Sequence, residues 1–207
     1  MSELKQLYAE IARCQKCEIA KLRTNTVPGE GAENAEILLI GEAPGFNEDQ
    51  QGRPFVGASG QFLDRLLASI DLNRDKVYIA NVIKCRPPGN RDPLPEEICN
   101  CRPFLDRQMA LIAPKMIVTL GRFSMAMFFP GKTISKIHGT SQTENGVIHF
   151  AMYHPAAALH QQALRKELEA DIKKIPVILA QSRVPVAPPV STNPVSKKIK
   201  QLNMFEV

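Results

Sequence analysis

The sequence predicts an α/β protein: a three-layer α/β/α sandwich with a central, mainly parallel sheet of four strands. Two observations lead to this prediction. Four short runs of apolar residues, each long enough for one strand, recur within the first 153 residues. Helical sequence with one apolar face lies between them, and strands that alternate with such helices usually pair in parallel.

The first predicted element is a helix over residues 2–22. Ser2 can cap its first turn, and four apolar side chains recur on one face at helical spacing. They are Leu4, Leu7, Tyr8 and Ile11. Cys14 and Cys17 then fall in the later turns of this helix or just past its end.

The four predicted strands are continuous apolar segments, a pattern typical of strands that are buried on both faces. They cover residues 36–41, 77–80, 116–120 and 147–153. A helix over residues 59–70 lies between the first two, because its apolar residues keep the i, i+3, i+4 spacing of one buried face.

Residues suited to chemistry follow the ends of three of these strands. Gly41 and Glu42 come after the first strand, Asn81 after the second and His154 after the fourth. Ligands of parallel α/β sheets bind beyond the carboxyl ends of the strands. The sequence therefore predicts one cleft at which these three strand ends meet.

The charge of the chain permits a polyanionic partner but does not require one. Its 26 basic and 21 acidic residues leave a net charge of +5, a modest excess for 207 residues. No segment has the roughly 18 apolar residues of a membrane helix, and the N-terminus lacks an apolar signal segment. We therefore expect a cytoplasmic monomer without a membrane partner.

Three regions are expected along the chain: a folded domain over residues 1–180, a linker over 181–196 and a terminal peptide over 197–207. The linker is rich in proline and is predicted to be extended. Its prolines are Pro185, Pro188, Pro189 and Pro194. Apolar residues return in the terminal peptide without a core to join, which indicates an interaction peptide.

Four of the five cysteines form a plausible ligand set: Cys14 and Cys17 as a C-x2-C pair, with Cys85 and Cys101 later in the chain. Four thiolates hold either zinc or a [4Fe–4S] cluster, and spacing does not distinguish the two. Cys99 competes with Cys101 for the fourth position. We favour Cys101, because an Arg-Pro pair follows it as it follows Cys85, whereas Cys99 fits a small packing residue.

Taken together, these residues resemble the iron–sulfur uracil-DNA glycosylases, family 4 of the uracil-DNA glycosylase superfamily. The resemblance runs from Cys14 to the region around Leu168, and it rests on four motifs in order as well as on the cysteines. The motifs are Gly-Glu-Ala-Pro-Gly (41–45), Gly-Arg-Pro-Phe-Val-Gly (52–57), Asn-Val-Ile-Lys-Cys-Arg-Pro-Pro (81–88) and His-Pro-Ala (154–156). The resemblance implies a [4Fe–4S] cluster and hydrolysis of the N-glycosidic bond of uracil in single- and double-stranded DNA.

Carried onto this chain, the resemblance implies a substrate site of five residues. Phe55 stacks on a flipped uracil, Asn81 reads its Watson–Crick edge, and His154 stabilises the charge that develops on O2 of the departing base. Gly41 and Glu48 complete the site. Other interpretations of the residues are a core aromatic for Phe55, a turn residue for Asn81 and a surface histidine for His154.

The attacking water needs an acceptor, and Glu42 is the leading carboxylate for that role. Alanine stands at position 43, where the best-known branch of the superfamily has an aspartate. Glu48 is the second carboxylate, or else it shapes the wall that excludes the methyl group of thymine. Leu159 resembles the wedge that fills the gap left by the flipped base, unless it is a core residue of the following helix.

The terminal peptide resembles the Gln-Leu-x-Leu-Phe motif with which bacterial repair and replication proteins bind the sliding clamp. The matching residues are Gln201, Leu202, Met204 and Phe205, with methionine in place of the usual leucine. A chance run of hydrophobic residues is the alternative. For the whole chain, the rival prediction is a non-catalytic module in which zinc or an iron–sulfur cluster stabilises a DNA-binding or partner-binding domain.

Overall fold

A six-stranded sheet forms the centre of the fold in a computed structural model, which describes residues 2–182. The strands are β1 (Glu30–Gly31), β2 (Ile37–Gly41), β3 (Tyr78–Asn81), β4 (Met116–Leu120), β5 (Ser141–Glu144) and β6 (Val147–Met152). Their order is β1-β3-β2-β4-β6-β5, and the four inner strands pair in parallel. The predicted α/β class and the four parallel strands are confirmed.

The sheet has two strands more than predicted, one antiparallel strand at each edge. The residues of β5 are all exposed and polar, so they carry no apolar pattern. A signal for β5 was nevertheless present, because Asn145 and Gly146 form the turn to β6, both with positive φ (51° and 80°). An Asn-Gly pair of this conformation is the preferred two-residue hairpin turn.

Nine α-helices are assigned within the described residues. They are α1 (Glu3–Ala12), α2 (Phe46–Gln51), α3 (Ala58–Ala68), α4 (Pro95–Ile112), α5 (Arg122–Ala126), α6 (Ile134–Ile137), α7 (Ala157–His160), α8 (Gln162–Ile172) and α9 (Lys174–Ser182). The helix predicted over residues 59–70 is α3, shifted by one or two residues at its ends.

The predicted N-terminal helix over residues 2–22 was too long, since α1 ends at Ala12. Ser2 caps this helix as expected, accepting from the N–H of Lys5. At its other end the guanidinium of Arg23 donates to the carbonyl oxygens of Ala12 and Cys14, at 3.1 and 2.8 Å. These bonds satisfy carbonyls that a longer helix would have satisfied itself, and both cysteines lie past the helix end.

Two apolar clusters, one on each face of the sheet, make up most of the core. Leu39, Val118 and Phe150 point to the face covered by α3, α8 and α9, and all three are buried completely. Leu38 and Ile40 point to the opposite face, which α1 and α4 cover. Burying each such side chain contributes about 1.5–3 kcal/mol, so the sheet is a rigid base for the residues at its carboxyl edge.

The predicted boundary at residue 180 falls inside α9, which continues to Ser182. Pro176 lies in the first turn of this helix, where proline is tolerated. The remainder of the predicted linker and the peptide over residues 197–207 lie outside the described residues. Within residues 2–182, no helix has the length and apolar character needed to cross a membrane.

Candidate functional site

A cavity of about 290 Å³ lies at the carboxyl edge of the parallel strands, at the position predicted for the cleft. It is lined by Glu42, Ala43, Pro44, Gly45, Glu48, Phe55, Ser59, Asn81, Pro87, Asn90, Arg91, His154 and Ala156. The loops after β2, β3 and β6 therefore meet here. Five of the residues predicted for the site line this one cavity: Glu42, Glu48, Phe55, Asn81 and His154.

Asn81 is the most deeply buried polar residue of the cavity, with 2% of its surface exposed. Its Oδ1 has no hydrogen-bond partner among the described residues. A buried amide oxygen without a partner costs about 1–3 kcal/mol, so a group that enters the cavity and donates to Oδ1, a water or a ligand, is favoured. Gly41 makes room for this amide, because a Cβ at Gly41 would lie 2.3 Å from Asn81 Oδ1 and 2.7 Å from the Phe55 ring.

Phe55 belongs to the core, as one interpretation of its sequence held, and it also lines the cavity; its stacking on uracil stays a prediction. Its ring stacks on His154 with a centroid distance of 5.5 Å and an interplanar angle of 26°. The backbone of Phe55 has a positive φ of 52°, a conformation that is uncommon for a bulky residue. Arg74 donates to the Phe55 carbonyl, and only a glycine at position 60 leaves room for that carbonyl, since a Cβ would lie 1.7 Å from it.

His154 presents a neutral imidazole to the cavity. Burial lowers its pKa to about 4, and the nearby Glu48 carboxylate only partly offsets this effect. The backbone N–H of Ala156 donates to Nδ1 at 3.1 Å, so Nδ1 is an acceptor and the ring proton resides on Nε2. Gly121 lies against the Cβ of His154 and has a φ of 91°, which favours glycine. The histidine therefore offers one N–H donor, without positive charge.

Glu42 follows β2 and lies half-buried at the cavity wall. Burial raises the pKa of its carboxyl group, the negative charge of Asp92 raises it further, and Arg122 lowers it. Arg122 and Asp92 form an ion pair with each other, exposed on both sides. No hydrogen bond to Glu42 side-chain oxygens is found within the described residues, so its carboxylate is available to a water molecule.

Glu48 has a different environment, because backbone groups occupy both of its oxygens. Oε1 accepts from the N–H groups of Val56 and Gly57 at 2.8 and 2.9 Å, and Oε2 accepts from Gly45 at 3.1 Å. The carboxylate thereby joins the loop after β2 to the loop that carries Phe55. This arrangement favours Glu42 over Glu48 for contact with water.

Leu159 lies on α7, directly after the cavity residue Ala156, and 45% of its surface is exposed. The alternative that it is a core residue of the following helix is therefore wrong. The other histidines lie elsewhere: His138 pairs with Asp171 at 2.7 Å, His149 is buried on β6, and His160 is exposed.

The cysteines predicted as ligands line a second, smaller pocket behind the end of β3. Cys14, Cys17, Cys85 and Cys101 all contribute to it, whereas Cys99 is exposed and lies outside it. Arg23 donates to the sulfur of Cys85 at 3.2 Å, and the backbone N–H of Lys84 donates to that of Cys101 at 3.3 Å. Burial is the main effect that raises the pKa of Cys85 to about 11, although Arg23 lowers it, and burial also raises the pKa of Cys101. Thiolates here therefore need a cationic group as partner.

This pocket fits a group that is held by four thiolates. Within residues 2–182, no group of three or more His, Cys, Asp or Glu side chains is arranged to hold a single metal ion. The four cysteines line one pocket, and the sulfurs of Cys85 and Cys101 accept from N–H donors, so the residue types present suit a thiolate-held group.

Sequence reasoning gave no functional role to Lys84, Ser59 or Asn90. Lys84 is 1% exposed, and its ammonium group donates to the backbone oxygen of Asn81 at 2.7 Å. It therefore links the cysteine pocket to the cavity. Its presence between Asn81 and Cys85 in one motif was a signal, but a buried lysine is not readily predicted from a sequence.

Comparison with known proteins agrees with this geometry. The profile of the Uracil DNA glycosylase superfamily matches residues 28–174. The type-4 uracil-DNA glycosylase of Sulfurisphaera tokodaii is 50% identical over 185 residues, 84% of each chain. The type-4 enzyme of Archaeoglobus fulgidus is 48% identical over 84% of this chain and 92% of its own, and that of Thermotoga maritima is 40% identical over 83% and 93%.

The matched residues extend from β1 into α9 and so include the whole sheet and the cavity. The chain therefore belongs to the uracil DNA glycosylase superfamily, and within it to the type-4 uracil-DNA glycosylases.

Proposed function

We propose that this protein removes uracil from DNA by hydrolysing its N-glycosidic bond and so leaves an abasic site for base excision repair. The observation that carries this proposal is the buried Asn81 amide, whose Oδ1 lacks a partner in the described chain, in one cavity with an aromatic ring and a neutral imidazole. A flipped pyrimidine base supplies the missing hydrogen bonds. Family membership supports the same activity.

Asn81 selects uracil by the polarity of its edge. The Oδ1 atom accepts from N3–H of uracil, and Nδ2 donates to O4. Cytosine has an acceptor at N3 and a donor at N4, so both contacts fail with it. Each mispaired buried group costs about 1–3 kcal/mol, which explains discrimination between two bases of nearly equal size.

Phe55 and His154 hold and activate the base. The Phe55 ring provides a face on which uracil stacks, and its fixed backbone keeps that face in place. When the C1′–N1 bond breaks, its electron pair passes to uracil, and O2 gains negative charge. The Nε2–H of a neutral His154 donates to this oxygen, and such a preorganised donor is worth about 2.7–4 kcal/mol in the transition state.

Glu42 orients the water that attacks C1′. Its raised pKa makes it a better proton acceptor than an exposed glutamate, and its negative charge stabilises the cationic sugar of the transition state. The water oxygen bonds to C1′ and the base departs as an anion that later gains a proton. Glu48 fixes the two loops around the substrate rather than contacting the water.

Cys14, Cys17, Cys85 and Cys101 are proposed to hold a [4Fe–4S] cluster. When bound, this group would cross-link the N-terminal segment to the segment from β3 to α4. Its role is to stabilise the fold, and it takes no part in the hydrolysis. Arg23 and the N–H of Lys84 donate hydrogen bonds that favour the thiolate form of its ligands. The visible spectrum of the purified protein tests this proposal. A brown protein with broad visible absorbance would indicate the cluster, whereas bound zinc would leave the protein colourless.

Leu159 is proposed as the wedge that enters the base stack as uracil leaves it. Its exposure beside the cavity supports this role.

We also propose that the enzyme acts as a monomer in the cytoplasm, where thiol ligands remain reduced. Residues 201–205 are proposed to bind a bacterial sliding clamp. Deletion of residues 201–207 should then abolish clamp pull-down and leave excision from free oligonucleotides unchanged.

The activity is tested with the full chain and labelled oligonucleotides that contain one deoxyuridine, either single-stranded or paired with guanine. Alkali treatment should reveal strand breaks at the uracil position, and none in matched strands with thymine or cytosine. Asn81→Ala should reduce excision about tenfold or more while the visible absorbance of the protein stays unchanged. DNA binding without strand breaks would instead favour the non-catalytic module.

A further inference from the structure

Arg91 is the one lysine or arginine among the described residues that line the substrate cavity. Its side chain is 38% exposed, so the guanidinium lies at the mouth of the cavity rather than in its interior. The loop that carries it joins Cys85 to α4. When a base occupies the cavity, the sugar–phosphate part of its nucleotide stays outside. A positive charge at the mouth of the cavity lies close to that part.

A buried carboxylate holds this guanidinium in a fixed orientation. Nη1 and Nη2 of Arg91 donate to the two oxygens of Glu97 at 2.9 and 2.6 Å, and Nη1 also donates to the backbone oxygen of Asp92 at 2.9 Å. Glu97 has 5% of its surface exposed and also accepts from the N–H of Leu94 at 2.8 Å. The hydrogen bond from Arg91 is the main cause that lowers the pKa of Glu97.

These contacts leave one edge of the guanidinium open. Arginine has five N–H donors, and the three contacts above use both on Nη1 and one on Nη2. The remaining two, on Nε and Nη2, lie parallel on the same side and have no partner in the described chain. Two parallel N–H groups match two oxygens of a phosphate.

The neighbouring loop arginines lack this feature. Arg53 uses its Nε and Nη2 edge for the carboxylate of Glu30, at 2.9 and 2.7 Å. Arg86 donates through Nε to Asn90 at 2.7 Å and lies over the Phe46 ring. Arg91 therefore differs from both by combining a position at the cavity with a free, preoriented edge.

We infer that Arg91 binds a phosphodiester group of the substrate strand beside the flipped nucleotide, through its Nε and Nη2 edge, with Glu97 as its positioning residue. This inference rests on the proposed function, because the phosphate in question belongs to the strand whose base occupies the cavity. Since Glu97 already restricts the side chain, less conformational entropy is lost when the phosphate binds. The contact holds the nucleotide in register and takes no part in bond cleavage.

The test measures binding of DNA that contains one 2′-fluoro-deoxyuridine, whose glycosidic bond resists hydrolysis, at several concentrations of NaCl. Arg91→Gln should weaken binding roughly tenfold or more at 0.1 M salt. It should also reduce the slope of log Kd against log salt by about 0.7–0.9, the value for one lost phosphate contact. Arg107→Gln is the matched control, because Arg107 also pairs with a carboxylate, Glu10, but lies outside the cavity.

Each outcome decides one question. Equal affinity and slope in Arg91→Gln and wild type would overturn the inference, as would an equal change in Arg107→Gln. If Arg91→Gln does not fold, Arg91→Lys replaces it. This variant keeps the charge and the salt slope, but it should bind DNA more weakly because lysine lacks the two parallel N–H groups. Wild-type affinity in Arg91→Lys would refute the contact through the Nε and Nη2 edge. Failure of the wild-type enzyme to excise deoxyuridine is a separate result, which concerns the proposed function alone.

Discussion

The substrate cavity and the cysteine pocket lie on either side of one short segment, residues 81–85. Their polar groups nevertheless suit partners of different charge. In the cavity, the Oδ1 atom of Asn81 lacks a hydrogen-bond partner in the described chain and His154 is held neutral. In the cysteine pocket, Arg23 and the N–H of Lys84 point at sulfur. The cavity is suited to a neutral base that completes its hydrogen bonds, and the cysteine pocket to negative charge.

Lys84 joins the two regions, because its backbone contacts Cys101 and its ammonium contacts Asn81. A disturbance of the cysteine pocket should therefore reach Asn81, the residue proposed to read the base. A disturbance of the cavity should leave the cysteine pocket intact.

The largest expected effect comes from removing one ligand of the cysteine pocket. Cys101→Ser should abolish the visible absorbance and lower the free energy of unfolding by several kcal/mol, since loss of a metal centre is among the most destabilising changes. Cys99→Ser is the control, because Cys99 is exposed and outside the pocket. Iron analysis and thermal unfolding measure both, and equal loss in the two variants would contradict the ligand assignment.

Removal of the imidazole should affect the reaction and spare the cysteine pocket. His154→Ala is expected to lower kcat by about 100- to 1,000-fold, because the developing charge on O2 loses its donor. Single-turnover excision measures the rate constant of bond cleavage, in which this loss should appear without interference from product release, and the visible spectrum should match wild type. A rate within threefold of wild type would exclude His154 from the transition state.

The buried imidazole also predicts how stability depends on pH. The folded pKa of His154 is about 4, below its ordinary value of 6.5, so the unfolded chain binds this proton more tightly. The free energy of unfolding therefore has its full value, as far as His154 is concerned, above pH 6.5. It decreases by up to about 3 kcal/mol as the pH falls towards 4, because the unfolded chain takes up the proton first. Urea unfolding of wild type and His154→Gln across this range should show a shallower loss in the variant, and parallel curves would refute the assignment.

The smallest effect is expected at the exposed Leu159. Leu159→Ala should reduce excision from double-stranded DNA roughly tenfold, because the gap in the base stack stays unfilled, and should change excision from single strands much less. The ratio of the two rates is the measurement. An equal decrease on both substrates would indicate a role in packing instead of in base flipping.

Much of the architecture followed from local patterns. The four buried strands were predictable because an apolar run between helices has few other arrangements. Glu42, Asn81 and His154 were predictable because they stand at strand ends, whereas Glu48 and Phe55 followed only from the family resemblance. The length of α1 was not predictable, since the bonds that end it come from Arg23, outside the helix. Strand β5 was missed because its exposed polar residues have no apolar periodicity.

The sequence by itself determined the fold class, the order of the motifs and the cysteine set, because each depends on residue type and spacing along the chain. Only the tertiary structure decided that Glu48 is occupied by backbone donors, that His154 carries its proton on Nε2 and that Arg91 keeps an open edge. These properties depend on burial and on hydrogen bonds between groups that folding brings together. A residue's chemistry in this protein therefore follows from its neighbours in space as much as from its identity.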